Sequence, residues 1–362
     1  MRWVIHACNN DIHERTRDGF PAAIQPHSLE SPMMCVSSRR LFTILLVAIT
    51  ATLAAVATAF AQDAYPTHAV RILVPFPPGG PADALARLTG DMLAQALGQP
   101  FVVENRPGAG GNIGMEQGAK AAPDGYTLTL APVGNLTIAP SLYSKLPYDP
   151  ARDYAPITVL AAVPNILIVH TSVPAKTLAE LIALAKAKPG TLNYASPGNG
   201  SGPHLAGELL KSMAGVDIVH VPFNGVGPAM NAVLGGQVQM FFVQSSVALQ
   251  HVKAGSVVAL GVASPQRIAA APGLPTIAEQ GLPGFDVTSW YALVAPAATA
   301  RPIIDRLHRE IAAALAKPDV REKLAGLGAE PVGNTPAEVA AMQRVEAARW
   351  AKIARDANIR AD

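Results

Sequence analysis

The sequence predicts an α/β fold with open sheets, and three of its features carry that prediction. Short apolar runs alternate with amphipathic helical patterns along most of the chain. Glycine-rich turns recur where an apolar run gives way to a helical pattern. The 32 prolines sit mostly at the ends of these segments, as punctuation and not as a disordered tract. No internal repeat and no low-complexity segment breaks the pattern.

Taken in order, strand candidates fall at residues 70–74, 101–103, 126–130, 157–162, 166–170, 217–220, 239–242, 257–262 and 292–295. Most are short runs dominated by apolar residues, many of them β-branched, as a buried strand requires. A helical pattern starts near Pro81. Thr177-Leu178-Ala179-Glu180 is a capping box that opens a helix with Leu178, Leu181, Ile182 and Ala185 on one face, stopped by Pro189-Gly190. Helical patterns follow at 205–213 and 229–234. Ile303, Ile304, Leu307, Ile311 and Leu315 recur at helical spacing and make another apolar face. A second capping box, Thr335-Pro336-Ala337-Glu338, has proline at the first helical position. It opens a long C-terminal helix whose apolar face is expected to carry Val339, Met342, Val345 and Ile353.

The N-terminal part reads as an export signal. Arg39 and Arg40 form a basic start, residues 41–56 an apolar run, and Ala59-Phe60-Ala61 a small-residue cleavage site before Gln62. A signal starts near a true N-terminus, so residues 1–32 read as an upstream extension from a misassigned start and 33–61 as the signal peptide. An uncleaved anchor is the alternative, because the apolar run is long. Ser38-Arg39-Arg40-Leu41-Phe42 also fits twin-arginine export, with general secretion equally open.

From Gln62 on, 301 residues remain, with 23 Lys and Arg against 22 Asp and Glu. This near-neutral balance, without a basic stripe, argues against nucleic-acid binding. Both cysteines, Cys8 and Cys35, precede the cleavage site, which excludes a disulfide, a thiolate nucleophile and a cysteine metal site from the remainder. A chain of this length can bury a large core and points to two domains.

The most informative stretch is residues 70–87, VRILVPFPPGGPADALAR. A strand breaks into Pro75-Phe76-Pro77-Pro78-Gly79-Gly80 and then a helix begins. That geometry aims unpaired backbone N–H groups at one point and favours an anion there. The loop holds no Lys, Arg, His, Cys or Ser, so it binds without reacting. Asp83 and Arg87, one turn apart, form a helix pair, with a pocket role for Asp83 as the sharper reading. Comparable loops occur at 105–114, 196–204 and 222–228. Any one of them can be an ordinary helix cap, whereas several at similar strand ends point to a shared pocket.

Reactive constellations are missing. Residues 108–114, GAGGNIG, resemble a dinucleotide fingerprint, but Arg106-Pro107 separates them from the preceding strand and no acidic residue follows at the expected distance. Ser201 lacks the flanking glycines of a nucleophile elbow. The six histidines after the cleavage site do not pair at metal-ligand spacing, so no metal and no cofactor is expected. His204 reads either as a polar cap on an exposed turn or as a ligand contact. Trp290-Tyr291 reads as core or as pocket wall, with core favoured.

The motifs PFPPGGPADALARL, VVENRPGAGGNIG, PDGYTL, LPYDPARDY, LNYASPGNGSGPHLAGEL and VHVPFNGVGPAM together resemble the tripartite tricarboxylate transporter substrate-binding proteins, the Bug receptors. The likeness continues through LPTIAEQGLPGFDVTSWYALVAPA and LGAEPVGNTPAE and spans the whole chain after the signal. It implies a periplasmic two-domain fold of the type II binding-protein kind, a mixed sheet flanked by helices in each domain and a ligand cleft between them. The implied domains are 62–163 with 289–362, and 164–288, with crossings near Val163-Pro164 and Thr288-Ser289. The implied ligand is a small di-, tri- or aromatic carboxylate, held by helix N-termini, a few side chains and water, in a monomer that closes by a hinge.

Carried over onto this sequence, the first-domain contacts are Phe76, Pro78, Gly79, Gly80 and Asp83. The second-domain contacts are Gly198, Asn199, Ser201, His204, Phe223, Gly225 and Gly227. Two stretches depart from the family pattern. Gln239 and Val243 stand where acids are usual, and residues 133–137 read VGNLT instead of a sequence closer to NGTHA. Both departures bear on which ligand fits: an acid lost near the cleft would disfavour a ligand carrying an ammonium group and favour an uncharged or aromatic body with a carboxylate. Delivery to membrane transporter subunits is the implied role, with presentation to a sensor kinase as one rival. An exported enzyme on the same fold is the other, and it lacks a catalytic constellation.

Overall fold

The computed structural model describes residues 65–356 and 359–360. The expected extension, export signal and both cysteines lie outside the described residues. Among the described residues no helix is long and apolar enough to cross a membrane.

The strands are β1 (Val70–Val74), β2 (Phe101–Asn105), β3 (Thr127–Pro132), β4 (Tyr154–Val163), β5 (Asn165–His170), β6 (Asn193–Ser196), β7 (Val219–Pro222), β8 (Met240–Gln244), β9 (Val257–Val262), β10 (Ser289–Pro296) and β11 (Glu330–Pro331). They form two mixed sheets, in the orders β11-β4-β10-β3-β1-β2 and β7-β6-β8-β5-β9. In the first, β1 lies parallel to β2 and β3, while β10 runs antiparallel between β3 and β4. In the second, β6 is parallel to β7 and β8, and β5 is antiparallel to β8 and β9. The chain leaves the first sheet after Val163 and returns to it at Ser289.

The helices are α1 (Pro81–Leu97), α2 (Asn112–Ala119), α3 (Ala139–Leu142), α4 (Leu178–Ala187), α5 (Gly202–Ala214), α6 (Val226–Leu234), α7 (Ser245–Lys253), α8 (Arg301–Leu315), α9 (Pro318–Gly326) and α10 (Pro336–Asp356). The central strands of both sheets are buried on both faces, which is why they read as near-continuous apolar runs, whereas the edge strands β2, β7 and β11 are partly exposed. The alternation of a strand shows it directly: Leu167 and Val169 of β5 pack with α4 and α5 on one face, while Ile166 and Ile168 pack with α6 and α7 on the other. Each such side chain, fully withdrawn from water, contributes roughly 1.5–3 kcal/mol. Around the first sheet, α1 and α8 cover β1, β3 and β10 through Leu85, Leu93, Ile304, Leu307 and Ile311.

The second capping box forms in full, and the first in part, with the Glu180 carboxylate reaching the Lys176 N–H instead of that of Thr177. Thr177 Oγ1 accepts from the Glu180 N–H at 3.2 Å, and Thr335 and Glu338 exchange their bonds reciprocally at 2.8 and 3.3 Å. The apolar face expected on α10 needs correction. Val339 is buried, but Val345 is 70 % exposed. The 3.6-residue turn instead brings Val339, Gln343, Trp350 and Ala354 inward. This helix also bridges the two halves of the molecule. Val339 packs beneath the first sheet, whereas Trp350 and Ala354 lie in the core that covers the second. Strands β6 and β11 have no counterpart among the sequence expectations, and β7 begins two residues later than expected.

The two crossings run side by side and are tied together. Asn165 is fully buried, and its Nδ2 donates to the Val287 carbonyl at 2.8 Å and to Ser289 Oγ at 3.0 Å. A buried amide pays for its desolvation only through such bonds, so it fixes where the chain passes between the sheets.

Candidate ligand-binding site

A cavity of about 380 Å³ opens between the carboxyl ends of strands from both sheets. This is where open α/β sheets gather loops and helix N-termini. The first sheet supplies the turn from β1 into α1 (Phe76 to Ala82), the turn after β3 (Pro132 to Asn135) and the start of β10 (Ser289, Trp290, Tyr291). The second supplies Pro197 and Ser201 to Pro203, Gly225 to Pro228 with Met230 and Asn231, and Gln244, Val247, Gln250 and His251. Seven of the twelve residues singled out from the sequence line it: Phe76, Pro78, Gly79, Gly80, Ser201, Gly225 and Gly227.

The other five lie behind the wall. Asp83 is 5 % exposed and grips the β1–α1 loop from beneath. Its Oδ2 accepts from the Gly79 N–H at 3.0 Å, and its carboxylate takes two 3.0 Å bonds from Arg87 and one of 3.1 Å from Asn105. Asn105 Nδ2 also reaches the Phe76 carbonyl at 3.0 Å. Burial alone would raise the Asp83 pKa. The bonds from Arg87, Gly79 and Asn105 outweigh it and hold the carboxyl below its ordinary value. Gly79 has φ +84°, a left-handed conformation natural to glycine. Asp83 therefore shapes the loop, and Gly79 and Gly80 present it to the cavity.

Gly198 and Asn199 touch the other half of the molecule. Tyr143 Oη donates to the Asn199 carbonyl at 3.1 Å. A Cβ on Gly110 would strike that same carbonyl, and one on Gly134 would strike the Gly200 carbonyl. A Cβ on Gly225 would come within 3.2 Å of the Pro77 ring. Backbone thus meets backbone where the two sheets' loops converge around the cavity. Phe223 packs on the apolar layer under α6, with its N–H on the Ser196 carbonyl at 2.9 Å. Ser201 caps α5: its Oγ donates to the Gly198 carbonyl at 2.6 Å and accepts from the His204 N–H at 3.4 Å.

His204 is 4 % exposed, so the exposed-turn reading is corrected. Its Nδ1 accepts from the Gly200 N–H at 3.2 Å, and its ring stacks on His220 with centroids 4.0 Å apart. Tyr194 of β6 stacks on the far side of His220. Burial lowers His204 to about 4, with Lys211 adding to it. Burial, His204 and Lys211 lower His220 to about 3 against the opposing pull of Glu208. Both rings stay neutral in the fold, whereas in the unfolded chain they take up protons below pH ~6.5. Stability is therefore expected to be unaffected above pH 7 and to fall between pH 6.5 and 4.5, by roughly 2–3 kcal/mol per ring. Melting curves across that range should flatten in His220→Gln. An unchanged slope would show that the acid sensitivity lies elsewhere.

Two lining segments carry no sequence expectation as contacts, 244–251 and 289, and each follows or begins a strand without a glycine-rich signature. Of the stretch 133–137, whose departure from the family pattern bears on the ligand, Val133, Gly134 and Asn135 line the cavity. Trp290 and Tyr291 are buried and also form cavity wall, so both of their readings hold together. The inference drawn from Gln239 and Val243 is corrected. Gln239 Oε1 accepts from the Asn193 N–H at 3.0 Å at the opposite strand end, and Val243 is fully buried in the core. Neither lines the cavity.

The wall itself settles the electrostatics. Among the described residues no Asp, Glu, Lys or Arg lines the cavity. Its polarity comes from Asn135, Ser201, Asn231, Gln244, Gln250, His251, Ser289 and Tyr291, and from the N-termini of α1, α5, α6 and α7. The first turns of helices carry N–H groups without intrahelical partners and a partial positive charge. Among the described residues no cluster of three or more His, Cys, Asp or Glu is placed to hold a metal.

Comparison with known proteins agrees with this architecture. The model of the tripartite tricarboxylate transporter family receptor matches residues 85–359. A Rhodopseudomonas palustris protein solved with malate is 37 % identical, with TM-score 0.76, over 80 % of this chain and 99 % of that one. A second, R. palustris Rpa4515 solved with adipate, is 38 % identical, with TM-score 0.79, over 82 % of this chain and 99 % of that one. The periplasmic binding protein BugD is 36 % identical, with TM-score 0.77, over 82 % of this chain and 99 % of its own. Two mixed sheets joined by paired crossings, a cavity ringed by helix N-termini, and a family match across most of the chain lead to one conclusion: the chain belongs to the tripartite tricarboxylate transporter receptor family, a class of solute-binding proteins.

Proposed function

We propose that the chain is exported, cleaved before Gln62, and works in the periplasm as a monomeric receptor. In this reading it captures a small organic carboxylate and delivers it to the membrane subunits of a tripartite transporter. The observation that carries the reading is a cavity faced by helix N-termini from both sheets with no Lys or Arg among the described residues of its wall. Backbone N–H groups neutralise a carboxylate through charge-assisted hydrogen bonds without a full counter-charge. Such a site holds an anion and still lets it go. The adipate and malate in the two relatives support a carboxylate ligand here. The missing acids in the wall disfavour an ammonium group, because a buried cation needs a partner.

Phe76, Pro78, Gly79 and Gly80 would meet the ligand from the first domain, 62–163 with 289–362. Ser201, Gly225 and Gly227 would meet it from the second, 164–288. The paired crossings at Asn165 and Ser289 would act as the hinge. The receptor does no chemistry. The Ser201 hydroxyl is committed to the Gly198 carbonyl, and no carboxylate or cysteine faces the cavity.

A thermal-shift screen over mono-, di- and tricarboxylates tests this. A ligand at about 100 times its Kd adds roughly 2.7 kcal/mol, a rise of roughly 5 °C for a chain of this size. If no carboxylate moves the melting temperature and a chromogenic ester is hydrolysed instead, the receptor reading fails.

A further inference from the structure

Gln244 sits at the carboxyl end of β8, where α7 begins, and forms part of the cavity wall although it is only 3 % exposed. Its Nε2 donates to Tyr291 Oη at 3.3 Å. Its Oε1 is buried and no protein donor reaches it. Buried amide oxygens are almost always partnered, and one left alone beside a ligand cavity marks where a donor belongs. The terminal torsion of a glutamine side chain is soft, so a small rotation turns that oxygen towards an occupant.

Tyr291 completes the arrangement. Its phenol is buried, and burial raises its pKa far above the ordinary value, so it stays protonated. Its oxygen already accepts from Gln244, which leaves its proton free to be donated. The pair therefore offers one acceptor and one donor side by side. A hydroxyl group matches both at once, giving its proton to Gln244 and accepting one from Tyr291. A carboxylate only accepts, so it would set an oxygen against the Gln244 oxygen in a buried spot with no Lys or Arg in the wall. An ammonium only donates and would face the partial positive charge of the helix N-termini.

We propose that Gln244 and Tyr291 are the specificity-determining end of the cavity and select a hydroxy acid, one carboxylate plus a neutral hydroxyl, over a dicarboxylate or an amino acid of the same length. The proposal rests on the receptor reading above and sharpens its ligand class.

The test is titration calorimetry with matched pairs: ω-hydroxybutyrate against succinate, and ω-hydroxyhexanoate against adipate. For the pair that fits the cavity, the hydroxy acid is expected to bind about tenfold tighter, equivalent to ~1.4 kcal/mol. In Gln244→Leu that preference should vanish while carboxylate binding persists, and Tyr291→Phe should weaken the hydroxy acid more than the diacid. A dicarboxylate that binds as tightly as its hydroxy partner, or tighter, overturns the proposal and leaves the receptor intact. It would mean that the Gln244 amide presents its N–H₂ to the ligand. If none of these acids, nor any other carboxylate, binds the wild-type protein, the receptor reading itself fails and takes this inference with it.

Discussion

Gly80→Val is expected to lower carboxylate affinity by about 100-fold while moving the melting temperature by no more than about 2 °C. The backbone permits the change. Gly80 is the N-cap of α1 with φ −88° and ψ 172°, extended values that valine adopts readily. A Cβ there has only the Pro77 carbonyl oxygen nearby, at 4.0 Å, so nothing in the fold resists it. Yet Gly80 lines the cavity, and a branched side chain would stand in front of the first N–H groups of α1. Two costs then add. Crowding an occupied site costs roughly 1–3 kcal/mol, and a lost hydrogen bond to a charged group costs roughly 1.5–3 kcal/mol. Gly79→Val is the informative contrast. Gly79 has φ +84°, which a β-branched residue resists, so that variant should lose stability as well as binding. Calorimetry and thermal melts on both variants check this. Unchanged affinity in Gly80→Val would remove the β1–α1 loop from the site.

Much of the fold is legible in the sequence because its central strands are buried on both faces. Val70–Val74 and Val257–Val262 are largely apolar runs, broken only by the exposed Arg71 and by Gly261, and they coincide with β1 and β9. Strand β6 is not legible. Asn193, Ala195 and Ser196 look like loop residues, and the strand exists because β7 and β8 pair with it on either side. Val345 fails for a different reason. An apolar residue on a long helix reads as core until tertiary contacts reveal which stripe of the helix is covered.

The site divides in the same way. Loops rich in glycine at strand ends announce themselves, and they lead to Gly79, Gly80, Gly225 and Gly227 in the cavity wall. Gln244 and His251 do not, because nothing in a strand-to-helix join such as FVQSSVALQH distinguishes a cavity residue from a cap. The positions Gln239 and Val243 drew notice as departures from a family pattern, but strand alternation and strand length carry them to the far end and the core. Asp83 was legible as part of a helix pair. The pair's purpose, gripping the Gly79 N–H and, through Asn105, the Phe76 carbonyl, needed the three-dimensional arrangement.

Gly134→Ala is expected to weaken ligand binding by about 10- to 100-fold through domain closure, with the first sheet and its helices undisturbed. Gly134 lies in the helical turn over residues 134–138 after β3, where alanine is favoured over glycine. The first atoms a methyl group there would meet belong to the other half. Its nearest neighbours are the Gly200 carbonyl oxygen, the Gly200 carbonyl carbon at 3.4 Å and Ser201 Cα at 3.2 Å, all backbone of the 196–204 loop on the second sheet. Backbone cannot rotate away as a side chain would, so the loop must retreat. That loop also carries Asn199, whose carbonyl accepts from Tyr143, and Ser201, whose turn begins α5 at the cavity. Pushing it back by more than half an ångström separates the helix N-termini that must reach one carboxylate together, and charge-assisted hydrogen bonds weaken steeply with such misplacement. The measurement is affinity together with small-angle scattering at saturating ligand. The variant should keep a larger radius of gyration than wild type and release its ligand faster. Wild-type affinity and compaction in Gly134→Ala would mean that the glycine contact between the two halves plays no part in closure.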